Sequence, residues 1–264
     1  MAGSRLASPD GSELEYIVTG SGEPVTVFAH GLGGGISETR PLGSGVAGRR
    51  VFFHFRGHGR SHAPAGQWTY QDLAADLRTV ADATGATRAL GVSLGAGALC
   101  RAVSDDPARF TKIVLFLPAV LDKPRAAATR HRFAALLSAV GAGDAAGIAA
   151  VVRDEIPPAS RNTASAHAYL RRRTDQLLRD RLAPSLASIT DDVAVTDLGA
   201  LRDVTAAALV IGCRGDELHP SSVAEEVAAA LPHASQHIYD GPGIVWTERS
   251  DLRDRIAGFL NAPV

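Results

Sequence analysis

The sequence has few cysteines: only Cys100 and Cys213 occur among its 264 residues. Neither their number nor their spacing fits a disulfide framework or a zinc site. We therefore expect two buried thiols in a reducing, cytoplasmic setting. No metal and no organic cofactor is predicted.

Long apolar runs and a charge excess are also absent. No stretch reaches the roughly 18 apolar residues that a membrane span needs, and Met1 to Pro9 lacks the pattern of an export signal. The formal net charge is -1, so neither a membrane nor nucleic acid is an expected partner. The arginines at 171–173 lie among Asp175 and Asp180, which predicts a solvated helix face. The oligomeric state is not predicted.

Short apolar runs recur along the chain, most of them separated by helix-length segments. They lie at residues 14–18, 25–30, 51–55, 89–92, 113–117, 208–212 and 237–239. This alternation predicts a mostly parallel sheet flanked by helices. Helical periodicity is expected over 73–84, 223–231 and 252–260.

The alternation of apolar runs and helix-length segments stops between about residues 121 and 197, where the sequence is rich in alanine, leucine and arginine. Gly141 to Gly143 and Pro157-Pro158 divide this segment into about three predicted helices. We expect a helical insertion within one domain spanning 1–264, placed as a lid over the ligand end of the sheet.

The strongest chemical motif is Gly91-Val92-Ser93-Leu94-Gly95, which follows an apolar strand and opens a small-residue helix. This G-x-S-x-G context predicts a nucleophile elbow, a sharp strand-to-helix turn that exposes the serine hydroxyl. The backbone N–H of Leu94, at the helix N-terminus, is then a predicted oxyanion donor.

A glycine-rich turn, His30 to Gly35, follows the strand at 25–29. It is expected to provide the second oxyanion donor, the N–H of Leu32. His30 and Gly31 are candidate substrate contacts, although a structural role is the favoured interpretation of His30.

Four ordered motifs together resemble the α/β-hydrolase superfamily. They are His30-Gly31, the segment Phe55 to Ser61, the Ser93 elbow and Gly212 to Asp216. The resemblance spans nearly the whole chain and implies an eight-stranded, mostly parallel sheet with a helical cap at about 121–197. It also implies that Asp216 is the triad acid, with Asp122 as the weaker alternative.

The resemblance fails at the base. The family has Gly-His after the last strand, whereas this sequence has Gly243-Ile244. Isoleucine accepts no proton, so Ser93 is expected to lack its usual activating imidazole. His219 lies in the turn beside Asp216 and no histidine has the family's position, but a base recruited from His58, His62, His131, His167 or His219 stays open.

Three functions compete. The first is a serine acyl hydrolase or acyltransferase acting on a small ester, lactone or thioester. The second is a lyase, cyclase or decarboxylase on the same scaffold. The third is an inactive ligand binder, because Ile244 resembles the aliphatic replacement in plant gibberellin receptors.

The expected ligand is a small molecule of apolar character. Trp246 is the candidate contact beside position 244. Further candidates for the pocket lining are Phe133, Leu136, Leu137, Tyr169 and Val245.

Overall fold

Eight strands form one sheet in the computed structural model, which describes residues 3–8, 10–180 and 184–263. They are β1 (Ser4–Ala7), β2 (Glu13–Thr19), β3 (Val25–Ala29), β4 (Arg49–Phe53), β5 (Arg88–Val92), β6 (Lys112–Phe116), β7 (Ala207–Cys213) and β8 (Ala234–Tyr239). The spatial order is β1-β2-β4-β3-β5-β6-β7-β8. Pairings of β1 with β2 and of β2 with β4 are antiparallel, and the others are parallel. The predicted mostly parallel sheet is confirmed.

Ten α-helices lie between and after the strands in the described part of the chain. They are α1 (Ile36–Thr39), α2 (Tyr70–Thr84), α3 (Leu94–Asp105), α4 (Ala127–Ala142), α5 (Ala145–Arg153), α6 (Ala164–Asp180), α7 (Ala187–Asp191), α8 (Ser221–Ala230), α9 (Ile244–Thr247) and α10 (Arg249–Asn261). Short 3-10 helices span Arg40–Gly43, Pro158–Ser160, Pro184–Leu186 and Leu198–Asp203. None of the described helices is both long and apolar enough to cross a bilayer.

Helix α2 illustrates why these segments fold as they do. Asp72 accepts hydrogen bonds from the backbone N–H and hydroxyl of Thr69, which caps the first turn. Leu73, Leu77 and Val80 are fully buried, so one apolar face packs on the sheet. The capping interaction starts the helix at Tyr70, three residues before the predicted start.

The sheet separates two apolar layers. Along β3, Val27 packs in the larger cluster with α2 and α3, and the next residue, Phe28, packs in the smaller cluster with α10. Consecutive strand residues point to opposite faces, and both faces of β3 are buried. Both cysteines are buried free thiols, as predicted.

The segment between β6 and β7 contains α4 to α7. Helix α4 ends where Gly143 adopts a left-handed conformation with φ 66°, so the predicted division at Gly141 to Gly143 coincides with a helix end. Residues 181–183, part of the predicted insertion, lie outside the described residues. That the segment acts as a lid stays a prediction.

Candidate active site

Ser93 lies at the tight turn between β5 and α3. Its backbone has φ 51°, a left-handed conformation that strains a residue with a side chain. A Cβ at Gly91 would lie 2.3 Å from the carbonyl oxygen of Gly95, and one at Gly95 would lie 2.5 Å from that of Ala29. Only glycine fits two residues before and two residues after the serine, which explains the G-x-S-x-G spacing.

An imidazole contacts the serine. His219 Nε2 lies 3.0 Å from Ser93 Oγ, and His219 Nδ1 lies 2.9 Å from Asp216 Oδ2. With its proton on Nδ1, the ring donates to the carboxylate and presents a free Nε2 lone pair to the serine hydroxyl. The expectation that Ser93 has no imidazole within hydrogen-bond reach is therefore wrong.

The turn after β7 brings the ring into place. Asp216 Oδ1 accepts the backbone N–H groups of Leu218 and His219, at 2.9 and 3.1 Å. This local turn folds the chain back, so a histidine three residues after the acid reaches both the acid and the serine. The sequence does contain a signal for this base, an Asp-x-x-His turn at the carboxyl end of a strand. The family resemblance instead pointed to position 244, where the family usually has its histidine.

The Asp216 carboxyl is held in its charged form. Its partial burial raises the pKa, but the hydrogen bond and charge of His219 and the two backbone N–H groups outweigh burial, so the pKa lies below its ordinary value. Asp122 lies elsewhere, on the loop after β6, and one of its oxygens is buried without a partner among the described residues.

The other histidines proposed as recruited bases have no contact with Ser93 among the described residues. His58 is buried, accepts the N–H of Gly33 at 3.0 Å and bonds the carbonyl of Arg56. His62, His131 and His167 are exposed. None of these four occupies the position that His219 fills.

The glycine-rich loop, residues 30–35, follows β3 and approaches the serine. A Cβ at Gly31 would lie 3.5 Å from Ser93 Cβ, and Leu32, Ser93 and Leu94 line one cavity. Leu94 is the first residue of α3, where a helix N–H has no intrahelical acceptor. This arrangement is compatible with the predicted donors at Leu32 and Leu94, whose role stays a prediction.

Arg173 of α6 binds the glycine-rich loop. Its guanidinium donates to the carbonyls of Gly33 and Leu32 and forms an ion pair with Glu38 at 2.9 Å. Arg171 and Arg172 are exposed, but Arg173 is buried. The predicted solvated face is therefore wrong at Arg173, because the third arginine turns inward and finds a carboxylate and two carbonyls.

The sequence from residue 24 to 243 matches the family model described as "alpha/beta hydrolase fold". The chain belongs to the α/β-hydrolase fold family.

Solved structures of this fold superpose over nearly the whole chain. A hydrolase from Pseudomonas aeruginosa PA01 is 25% identical, with 98% of both chains covered and a TM-score of 0.80. The enol-lactonase from Burkholderia xenovorans LB400 is 21% identical, with 98% of this chain and 100% of that chain covered and a TM-score of 0.80. The esterase EaEST from Exiguobacterium antarcticum is 18% identical, with the same coverage and TM-score.

Ile244, at the position predicted to hold the hydrolase-family histidine, begins α9 and is 1% exposed. It packs in the smaller apolar cluster with Ile211, Leu252 and Ile256. Position 244 therefore makes an apolar core contact. The imidazole that contacts Ser93 is His219, from the turn after β7 that also contains Asp216.

The cavity at Ser93 has a volume of about 10 Å³, roughly the space for one water molecule. It is lined by Leu32, Ser93, Leu94, Arg125, Phe133, Ile189 and Thr190. The Phe133 prediction agrees with this lining. Leu136, which is core, and Val245, which is 43% exposed, are not among the residues that line this cavity.

Two other candidate contacts are engaged elsewhere. His30 is fully buried, accepts the N–H of Phe55 and bonds the carbonyl of Gly31, which agrees with the structural role favoured for it. That it contacts substrate stays a prediction. Trp246 packs edge-on against Tyr169, with 5.0 Å between ring centroids. Outside the Ser93 cavity, this pair joins α9 to α6.

We predict that His58 makes the free energy of unfolding fall at acidic pH. Burial is the main cause that lowers its pKa from 6.5 to about 4. Between these values the unfolded chain binds a proton that the folded chain does not, so the free energy of unfolding falls as pH falls. Above about pH 6.5 the effect vanishes. His58→Gln keeps an acceptor for Gly33 and a donor for Arg56 without titrating.

Urea unfolding at about pH 7 and about pH 4.5 measures this difference. The wild type should lose about 2 kcal/mol more than His58→Gln on acidification. Equal losses in the two proteins would mean that His58 is not held neutral in the folded state.

Proposed function

We propose that this chain is a serine acyl hydrolase or acyltransferase that acts on a small ester, lactone or thioester. The observation that carries the proposal is the continuous hydrogen-bond chain from Asp216 through His219 to Ser93. A nucleophile in contact with a base that is itself oriented by a carboxylate is the arrangement that activates a serine hydroxyl.

The chemistry follows from the atoms in contact. As Ser93 Oγ bonds to the acyl carbon, its proton passes to His219 Nε2, and the carbonyl oxygen gains negative charge. The N–H groups of Leu32 and Leu94 stabilise this oxyanion. Collapse breaks the bond to the leaving group, which takes the proton from His219. Water, or an acceptor alcohol or thiol, then attacks the acyl-serine and gives its proton to His219. The bond between the acyl carbon and Ser93 Oγ breaks, and Oγ takes the proton back from His219.

The two other functions have less support. The inactive binder was inferred from Ile244, and it loses that support because an imidazole lies 3.0 Å from the hydroxyl. The non-hydrolytic enzyme was inferred from the scaffold alone, and the contact between His219 and Ser93 favours acyl transfer over it.

Covalent labelling tests the proposal. A fluorophosphonate should form one adduct, which peptide mapping should locate at Ser93. The adduct should be absent in Ser93→Ala and retained in Ser104→Ala, a matched change further along α3. If the wild type forms no adduct and turns over no p-nitrophenyl ester, the hydrolase proposal is wrong.

A further inference from the structure

Arg125 gives the Ser93 cavity a positive charge. The residue lies on the loop between β6 and α4, is 7% exposed and lines the cavity together with Ser93. The other six lining residues are uncharged. The predicted apolar pocket therefore also contains a guanidinium.

The acceptors that Arg125 bonds are all neutral. Nη1 donates to the carbonyls of Ile189 and Thr190, at 3.1 and 3.4 Å, and Nη2 donates to the Tyr70 hydroxyl at 2.5 Å. Nε is buried and has no partner within the described residues. A buried cation is costly unless an anion compensates it.

No carboxylate within the described ranges forms an ion pair with this guanidinium. Asp122 lines a neighbouring cavity of about 210 Å³ that Arg125 also lines, but the two charged groups are not within the 4.0 Å of an ion pair. Arg173, by comparison, is equally buried and has Glu38 at 2.9 Å. Arg125 is thus a buried cation with no carboxylate partner among the described residues.

The two cavities meet at this side chain. Leu218 and Pro220, which flank His219, line the larger cavity, and Ser93 lines the smaller one. A substrate whose acyl carbon is at Ser93 and whose remainder extends into the larger cavity would contact Arg125. Phe133 of α4 lies over the guanidinium, with 5.8 Å from Cζ to the ring centroid, and must shift to admit that substrate.

We propose that Arg125 binds a carboxylate of the substrate, so that the preferred substrates are esters, lactones or thioesters carrying a second, ionised carboxyl group. This rests on the proposed acyl-transfer function and names its substrate class. The carboxylate would accept from Nε and compensate the buried charge, which a neutral acyl chain cannot do.

Paired substrates test this inference. Monomethyl succinate, glutarate and adipate are each compared with the methyl ester in which an uncharged amide replaces the carboxylate. Methyl ester hydrolysis is followed by pH-stat. For at least one chain length, the wild type should prefer the acid over the amide by about tenfold or more in kcat/KM.

Arg125→Gln keeps a polar side chain but removes the charge. It should lower kcat/KM for the preferred acid ester by roughly 10- to 100-fold and change that of the amide ester by less than about threefold. Arg132→Gln removes a cation of α4 that lines neither cavity and donates to the carbonyl of Val151, and it should retain the preference. If Arg125→Gln lowers kcat/KM equally for the acid and the amide ester, Arg125 has a structural role only, and the proposal is overturned.

A binding measurement separates this inference from the acyl-transfer function. Calorimetry with glutarate and its monoamide, on Ser93→Ala protein with Arg125 intact, reports the anion site without chemistry. Tighter binding of glutarate that Arg125→Gln removes supports the site even if no ester is hydrolysed. Equal binding of the two ligands, with no acid preference in the wild-type kinetics, overturns it whether or not Ser93 forms an adduct and whether or not Arg125→Gln folds.

Discussion

Replacing His219 with alanine is expected to lower kcat for a p-nitrophenyl ester by about four to six orders of magnitude. Nε2 is the atom in contact with the Ser93 hydroxyl, and without it the serine proton has no acceptor in hydrogen-bond reach among the described residues. KM should change little, because the imidazole acts mainly as bonds form and break. Burst and steady-state kinetics with p-nitrophenyl butyrate measure both quantities.

His131→Ala and His167→Ala are the matched controls for this loss. Both histidines lie in the segment between β6 and β7, both were candidates for a recruited base, and both are exposed. Each variant should retain activity within about threefold of the wild type. A large loss in either one, with His219→Ala still active, would assign the base to that residue instead. Urea unfolding of each variant confirms that activity is compared between folded proteins.

The substitution Ile244→His tests whether an imidazole at the family's usual position can replace that of His219. Ile244 is buried among apolar side chains, so a polar ring there lacks partners and destabilises the fold. In the His219→Ala background, restored activity would show that position 244 still reaches Ser93. Unrestored activity agrees with its role as a core contact.

The interior of the sheet was predictable because strands β3 to β7 are mostly buried, and parallel strands covered on both faces need continuous apolar sequence. Apolar runs also mark β2, which pairs antiparallel, and β8, which has no buried residue, so seven runs match seven strands. Strand β1 was missed because it is a mostly exposed edge strand, with no apolar run to mark it. It forms by pairing with β2 rather than from its own pattern.

The site was predictable where local backbone geometry dictates the residue type. Glycines on both sides of Ser93 are required by close backbone contacts, so the elbow is visible in sequence. The catalytic base could not be predicted in the same way, because the number of residues between two positions does not show the direction in which a side chain points. His219 reaches the serine only because Asp216 accepts two backbone N–H groups and closes the turn. Arg173 and Arg125 were missed for the related reason that a pattern of charges does not show which member turns inward.

Asp216→Asn is expected to lower kcat by about 10⁴-fold with KM nearly unchanged. The carboxylate accepts a hydrogen bond from the N–H at Nδ1 and so leaves Nε2 free for Ser93. An amide that presents its NH₂ group to the ring would favour the opposite tautomer, with Nε2 protonated and unable to accept the serine proton. Because Asp216 acts through His219, it is a positioning residue, and Asp216→Glu should return part of the activity if its longer carboxylate still reaches the ring.

Asp122→Asn is the control that distinguishes positioning from charge alone. Both aspartates lie beyond the carboxyl ends of strands β6 and β7, and both were candidate acids, but it is Asp216 that contacts the imidazole. If the hydrogen bond to Nδ1 is what matters, Asp122→Asn keeps kcat within about threefold while Asp216→Asn does not. Comparable losses of kcat in the two variants would mean that negative charge near the site, rather than an oriented imidazole, supports catalysis. The hydrogen bonds from Asp216 through His219 to Ser93 would then not explain the activity.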